Sequence, residues 1–487
     1  MHRLLVMMAF WMLALGGGES SARSLSGETF VHLFEWSWSD VARECESVLG
    51  PSGYHAVQVS PPQEHITQGS MATGPWWQRY QPVSYKISSR GGSLDEFRQM
   101  VTTCTLAGVG VYVDAVINHM TGQRHGTVGI GSGGSYFSHY QYPDYGPEDF
   151  HYCGTPGHDI NDYTDAFQVR NCELLNLADL KTESPKVRDR LAAYLEHLLR
   201  IGVEGFRIDA AKHLPPDDIR AILDLVRTRA VRAPFIFQEV IDFGVEPVKG
   251  GEYFSEGMVT EFRYGHRLAQ VFRRGKLHYL NNGQTFGEKW GFYPSHKAVV
   301  FIDNHDNQRG HGSGGNVLTH RDGRAYILAN VLMLAWPYGY PKVMSSYYFQ
   351  NSDQGPPAKS HDDPCESGFV CEHRSLEIKR MVAFRKLVTD RPLASWYSNG
   401  QNQIAFSRGS VGFVAMNADP GRFRAEVATS LADGSYCSWL LQDGSEDCPP
   451  INVRDGKVSL DLDSGEVLVL VDPQAVVSQK SKPSRHN

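Results

Sequence analysis

Three carboxylates, Asp209, Glu239 and Asp306, stand at or just beyond the ends of separate apolar runs: Gly205-Phe206-Arg207-Ile208, Phe235-Ile236-Phe237-Gln238 and Val299-Val300-Phe301-Ile302. Such runs read as strands buried on both faces, and parallel strands closed into a barrel aim the residues at their carboxyl ends into one bowl. A single Asp in that position is ordinarily the cap of the next helix. Three in register across separate strands point to a shared site. The chemistry that needs them is acid–base work at an acetal. One carboxylate attacks or balances positive charge at the anomeric carbon, and another delivers a proton to the leaving oxygen. Crowding and burial of like charges raise one pKa, which supplies the acid.

Those strands need a frame. Thr29 to Trp36 and His55 to Val59 read as the first two strands, with a helix between them capped by Ser39, carrying Val41, Cys45, Val48 and Leu49 inward and closed by Gly50. Adjacent tryptophans follow in a Pro- and Gly-bounded loop, Pro75 to Pro82, either as a hydrophobic lid or as flat faces for sugar rings. Ser93-Leu94-Asp95-Glu96 is a capping box that opens a helix ending near Gly108. Val109 to Ile117, apolar except for Asp114, is the third strand and runs into Asn118-His119. From 118 to 180 no helix period survives, which predicts an inserted subdomain. Helices resume at Ser184-Pro185, ending at Gly202, then over Pro216 to Ala230 and Arg324 to Ala335, and the last two units fall between Val343 and Val388.

Strand and helix in alternation predict an α/β chain: a (β/α)8 TIM barrel over 23–117 and 181–396, with the insert after strand 3. The period then changes to two, with Gln403 to Phe406, Gly412 to Asn417, Val458 to Leu462 and Glu466 to Val471 as strands of a separate antiparallel β-sandwich over 397–475. A polar tail, 476–487, is expected to be disordered.

Across 487 residues, 47 basic and 54 acidic side chains give a formal charge of -7. With no basic run, nucleic acid and anionic membranes are poor partners, and a neutral substrate suits the balance. Arg3, the apolar run Leu4 to Leu15 and the small residues Ser20-Ser21-Ala22 read as a secretory signal peptide over 1–22, too short for a membrane span. The expectation is an exported, extracellular monomer. An even set of eight cysteines without a C-x-x-C spacing then favours disulfides, whose connectivity the spacing leaves open.

Four short segments carry a resemblance: DAVINH at Asp114 to His119, GFRIDAAKH at Gly205 to His213, FQEVI around Glu239 and FIDNHD at Phe301 to Asp306. VHLFEW at Val31 to Trp36, GPWWQRYQPVSY at Gly74 to Tyr85, DNQRGHGSGG at Asp306 to Gly315 and VMSSY at Val343 to Tyr347 extend it. The chain resembles the α-amylases, in the animal-type branch of the α-amylase family of glycoside hydrolases, over nearly all of its mature length.

The resemblance implies endo-acting, retaining hydrolysis of internal α-1,4-glucosidic bonds in starch, glycogen and maltooligosaccharides. It assigns Asp209 as nucleophile, Glu239 as acid and then base, and Asp306 as the holder of the distorted sugar. Trp76, Trp77, Tyr80, Gln81, His119, Tyr163, Lys212 and His305 match substrate contacts, and His311 to Gly315 matches a mobile loop. Calcium is implied at the side chains of Asn118 and Asp179 and the backbone carbonyls of Arg170 and His213, a hard oxygen set. Chloride is implied at Arg207, Asn304 and Lys342, where Lys342 replaces the more usual Arg and lacks its bidentate fork. The implied disulfides are Cys45 with Cys104, Cys153 with Cys172, Cys365 with Cys371 and Cys437 with Cys448, and one bridge common in vertebrate members has no counterpart.

Overall fold

A computed structural model describes residues 25–122, 128–312, 315–441 and 448–480. The expected signal peptide, part of the His311 to Gly315 loop and the end of the tail lie outside the described residues. Eight parallel strands close a barrel: Phe30–Leu33, Ala56–Val59, Gly110–Ala115, Gly205–Ile208, Phe235–Gln238, Met258–Thr260, Ala298–Val300 and Tyr340–Ser345. Closure is made by Phe30 to Leu33 pairing in register with Lys342 to Ser345.

Side chains two apart on a strand share a face, and that alternation builds the barrel interior in layers. At the bottom, Phe30, Ala56, Tyr112, Phe237, Val299 and Tyr340 form a small apolar plug, with Phe30 set edge-on to Tyr112 and Phe237. Two residues further along the same strands come His32, Gln58, Asp114 and Lys342, all buried, with Arg207 in register opposite Asp114. The plug is therefore the floor on which a polar layer, and then the bowl, is laid.

The helix from Pro185 to Ile201 ends at Gly202 with φ 117, a backbone that favours glycine, and the capping box of Ser93 with Glu96 is formed. Four expectations are corrected. The first helix is capped by Ser37, whose side chain accepts the Asp40 N–H, rather than by Ser39. It is not closed at Gly50 but continues through Cys45–Leu49 and Gly50–Ser52 to Gly53, at φ 83. The sixth strand is Met258–Thr260, a run too short to show a period, and the eighth already starts at Tyr340, so 343–388 does not hold two units. The tail is helical from Pro473 to Lys480.

Between the third and fourth strands, His119–Gly122 pairs with Leu177–Asp179, beside a hairpin of Val128–Ile130 with Tyr136–Ser138 and a short helix, Ala166–Asn171, that the sequence did not signal. After the barrel come two four-stranded antiparallel sheets. Leu393–Ser398, Gln403–Arg408, Gly412–Asn417 and Val467–Val471 form one, and Phe423–Ala428, Lys457–Leu462, Ile451–Arg454 and Gly434–Tyr436 the other. Phe413, Ala415, Phe423 and Leu470 pack between them. The opposite face of the first sheet, with Ile404, Phe406, Val414 and Met416, joins the hydrophobic core of the barrel. Four disulfides form with the implied pairing: Cys45–Cys104, Cys153–Cys172, Cys365–Cys371 and Cys437–Cys448.

Candidate active site

The strand register decides which groups meet. Ile208 pairs with Gln238, so Asp209 and Glu239 are the next residues on neighbouring strands. The Glu239 N–H donates to the Ile208 carbonyl (3.0 Å) and the Ala210 N–H to Glu239 Oε2 (3.0 Å). Ala210 adopts φ 48, a left-handed turn uncommon for a residue with a Cβ, and turns the chain sharply just past Asp209. Arg207, two residues before Asp209 and on the same face, lies beneath both: Nη1 is 2.6 Å from Asp209 Oδ1 and Nη2 is 2.5 Å from Glu239 Oε1. Nη1 also pairs with Asp114 of the neighbouring strand.

Asp306 completes the bowl, with Oδ2 3.3 Å from His305 Nε2. The cavity, about 640 Å³, is lined by Asp209, Glu239 and Asp306 and by all eight expected substrate-contact residues, Trp76, Trp77, Tyr80, Gln81, His119, Tyr163, Lys212 and His305. Tyr80 stacks on His305 (5.2 Å, 14°), and Trp76 stands edge-on to both. Tyr163 is half exposed at the rim. Lys212 donates to the Ile241 carbonyl at 2.8 Å.

The bowl and its floor hold more negative than positive charge. Burial pushes Asp209 well above the ordinary carboxylate range, against the pull of Arg207 and with the push of Glu239. Burial, then the Glu239 charge, raises Asp306 to about 7. Asp114 is raised by burial as well. Asp114, Asp209 and Glu239 all converge on one guanidinium, that of Arg207. The histidines go the other way: burial lowers His119 to about 4 and His305 well below its usual value, so both are neutral.

A neutral His119 fixes its neighbours. Its Nε2–H donates to the Tyr80 carbonyl (2.9 Å), leaving Nδ1 to accept from Asn118 Nδ2 (3.3 Å). Asn118 Oδ1 is thereby turned away, buried and without a protein hydrogen-bond donor. Strand pairing brings His119 opposite Asp179, and His213 Nδ1–H donates to the Val169 carbonyl (2.8 Å), which holds His213 beside Arg170. Among the described residues no group of three or more His, Cys, Asp or Glu is placed to hold a metal. The four expected calcium donors are amide, carboxylate and backbone oxygens, and the orphaned Asn118 oxygen fits that set.

Lys342 is buried in the barrel interior with its ammonium 4.6 Å from the Phe301 ring centroid, and no carboxylate lies within ion-pair reach among the described residues. Burial, then the Arg207 charge, lowers it to about 8. Two buried cations pressing on each other fit an anion. Asn304 Oδ1 is already committed, accepting from the N–H groups of Asp306 (3.2 Å) and Asn307 (2.8 Å), which leaves its Nδ2 as the group able to donate to an anion.

Sequence reasoning missed Asp114 as a site residue, although a lone charge in a strand buried on both faces was a signal. It also missed Arg309, which donates to the His305 carbonyl (2.8 Å) and lies over Phe34 (4.9 Å) and Phe349 (4.3 Å). Leu174, Leu175, Ile241 and Asp353 line the cavity without any motif to mark them.

Comparison with known proteins agrees with the geometry. Residues 57–224 match the alpha amylase catalytic domain and residues 395–473 the alpha amylase C-terminal all-beta domain. Human pancreatic alpha-amylase is 44% identical, covering 95% of this chain and 96% of its own, and alpha-amylase of Pecten maximus is 46% identical, covering 87% of each. Alpha-amylase I of Eisenia fetida superposes with a TM-score of 0.85 at 41% identity, covering 91% of this chain and 97% of its own. A mutant of that protein, in complex with maltohexaose, superposes at 0.84. With a closed barrel, three carboxylates in one bowl and relatives of this identity over nearly its whole length, the chain belongs to the α-amylase family of glycoside hydrolases.

Proposed function

We propose that the protein hydrolyses internal α-1,4-glucosidic bonds of starch, glycogen and maltooligosaccharides with retention of configuration. The carrying observation is that Asp209 and Glu239 share one guanidinium at the floor of a cavity that also receives Asp306. Carboxyl groups close to one another suit double displacement, for which a separation of about 5 to 5.5 Å is usual, rather than a wider inverting pair with water between.

An Asp209 oxygen attacks the anomeric carbon while Glu239 gives its proton to the departing glycosidic oxygen, so one C–O bond forms as the other breaks. Glu239, now ionised, takes a proton from water, and the hydroxide equivalent releases the sugar from Asp209. Arg207 holds both carboxylates in place and balances the charge that moves between them. Asp306 and His305 hold the sugar hydroxyls, and Trp76, Trp77, Tyr80 and Tyr163 give flat faces to the rings. The neutral histidines serve as hydrogen-bonding groups rather than charges.

Calcium would be held by Asn118, Asp179 and the carbonyls of Arg170 and His213. When bound it ties the segment after the third strand to the segment bearing Asp209, through oxygen ligation. Chloride would be held by Arg207, Asn304 and Lys342, and supplies a negative charge that offsets the two cations near Glu239. Four disulfides and the apolar amino terminus support an exported, extracellular protein. Among the described residues no helix is long and apolar enough to cross a membrane.

The test is a reducing-end assay on soluble starch, wild type beside Asp209→Asn, with products of maltooligosaccharide digestion resolved by length. Loss of turnover in the variant and transfer of sugar to water are expected. Near-normal turnover of the variant removes Asp209 from its role, and transfer mainly to sugar acceptors replaces hydrolysis with glucan transfer.

A further inference from the structure

Behind the aromatic wall of the bowl lies a buried ion cluster that none of the roles above uses. Glu35 comes just after the first strand, Phe30–Leu33, and its carboxylate is fully buried between Arg90 (2.7 Å) and Arg79 (3.4 Å). Its backbone adopts φ 64, a left-handed turn that strains a residue with a Cβ. Such strain persists only where the surroundings over-determine it. Here they do, because the Glu35 N–H donates to Ser60 Oγ (3.0 Å), and Arg79 donates to the Ser60 (3.1 Å) and Pro61 (2.9 Å) carbonyls just past the second strand. Glu35 is thereby fixed to the ends of two barrel strands.

Arg90 carries that anchor to the wall. Its Nη1 donates to Glu35 Oε2, while Nε donates to the Met71 carbonyl (2.8 Å) and Nη2 to the Pro75 carbonyl (3.1 Å) and Gln78 Oε1 (3.2 Å). The last three acceptors belong to the loop whose turn, Trp76–Tyr80, presents Trp76 and Trp77 to the cavity. Gln78 passes the hold on, its Nε2 donating to the Gln68 carbonyl (2.7 Å). Reaching three separate points of one loop while paired with Glu35 takes the planar fork of arginine; a lysine ammonium is a single point of charge. Neither Arg90 nor Glu35 lines the cavity, and among the described residues neither is bonded to Asp209, Glu239 or Asp306. Their effect on a bound sugar therefore runs through the rings. Ring contact is sensitive to placement, since a gap of about 0.5 to 1 Å already forfeits a quarter to a half of its dispersion energy.

We propose that Arg90, anchored by Glu35, is a positioning residue for the aromatic wall: it holds the turn that presents Trp76 and Trp77 and so sets the affinity for glucan without taking part in bond cleavage. This rests on the α-glucan reading of the bowl and adds a residue outside the cavity that governs how tightly the chain is held.

The test compares wild type with Arg90→Lys, with Gln78→Met, and with the two combined; both changes keep bulk and cut the tether at opposite ends. On maltoheptaose, Arg90→Lys is expected to raise KM about fivefold and leave kcat within about twofold of wild type, as loss of binding common to ground and transition states does. Gln78→Met should move KM in the same direction. The double variant should match Arg90→Lys alone, because both substitutions sever one connection. Calorimetric titration in the Glu239→Gln background, where ligand is not consumed, should show the same weakening of maltoheptaose binding. An unchanged KM beside a lowered thermal midpoint overturns the proposal, since the cluster is then merely structural. A fall in kcat as large as the rise in KM overturns it as well, and so do additive effects of the two substitutions. Should Arg90→Lys fail to fold, Gln78→Met decides, and a wild-type KM there ends the proposal. Absence of hydrolysis by the wild type defeats the reading of the bowl; the calorimetric comparison then judges the wall by itself, and equal affinities there defeat it.

Discussion

Arg207 Nη2 lies 2.5 Å from Glu239 Oε1 at the floor of the bowl, so the acid is held by the same guanidinium that steadies the nucleophile. Glu239→Gln keeps the shape and a donor but removes the transferable proton. Turnover on soluble starch should fall about a thousandfold, within the usual range for a lost general acid. The thermal midpoint should stay close to wild type. A fall of less than about tenfold takes proton delivery away from Glu239.

The pH profile should carry a basic limb near neutrality. Burial and the neighbouring Glu239 charge push Asp306 up to about 7, so a rise in pH past that value adds a negative charge to the crowded bowl and activity should fall. Asp306→Asn removes that titrating group. The activity that remains, followed with an activated maltooligosaccharide, should lose the step near pH 7, and an unchanged step contradicts the charge argument.

Lys342 makes chloride dependence measurable. Activity should rise on adding chloride, and Lys342→Gln should abolish the rise. Lys342→Arg, which restores a bidentate fork, should reach half-maximal activation at lower chloride. Equal wild-type rates with and without chloride end the chloride reading.

Calcium should act on stability first. Chelation of the purified protein should lower its thermal midpoint by several degrees, and added calcium should restore it. Asn118→Ala, which removes the orphaned oxygen, should blunt both responses. A melting curve indifferent to chelator and calcium alike argues against the site.

Glu372 lies away from the bowl, buried at the carboxyl end of the barrel, where Oε2 accepts the Ser346 N–H (2.8 Å) and Oε1 has no donor. Burial raises it to about 7. A carboxyl raised on folding stabilises fully below its unfolded pKa of about 4.3, and that stability is lost as pH climbs through about 7. The penalty at higher pH is on the order of 3 kcal/mol. Glu372→Gln retains the acceptor and cannot ionise, so denaturant titrations should show a flatter dependence between pH 5 and pH 8, and an unchanged slope contradicts it.

Where strands were long and buried on both faces, the sequence showed the barrel plainly: Gly110–Ala115 and Gly205–Ile208 are close to the expected runs. It failed at Met258–Thr260, because three residues carry no period, and at the cap of the first helix, because Ser37 and Ser39 are equivalent by composition and only packing chooses between them. The carboxylates were legible because each follows an apolar run. Asn118 and Asp179 were not, since strand pairing across the insert brings their segments together, and that is a tertiary fact. Arg309 was hidden for the same reason, being placed by rings from distant segments.

The sheet that follows the barrel turns Phe406, Val414 and Met416 into the same apolar mass as the barrel helices, while Arg408 donates to the Arg391 (2.8 Å) and Val388 (3.0 Å) carbonyls and Trp439 to the Arg380 carbonyl (2.8 Å). Cutting the polypeptide ahead of Leu393 would bare a greasy flank and leave those backbone oxygens wet. Heating the intact protein should then melt both halves in a single step, and the catalytic half made alone should clump rather than work.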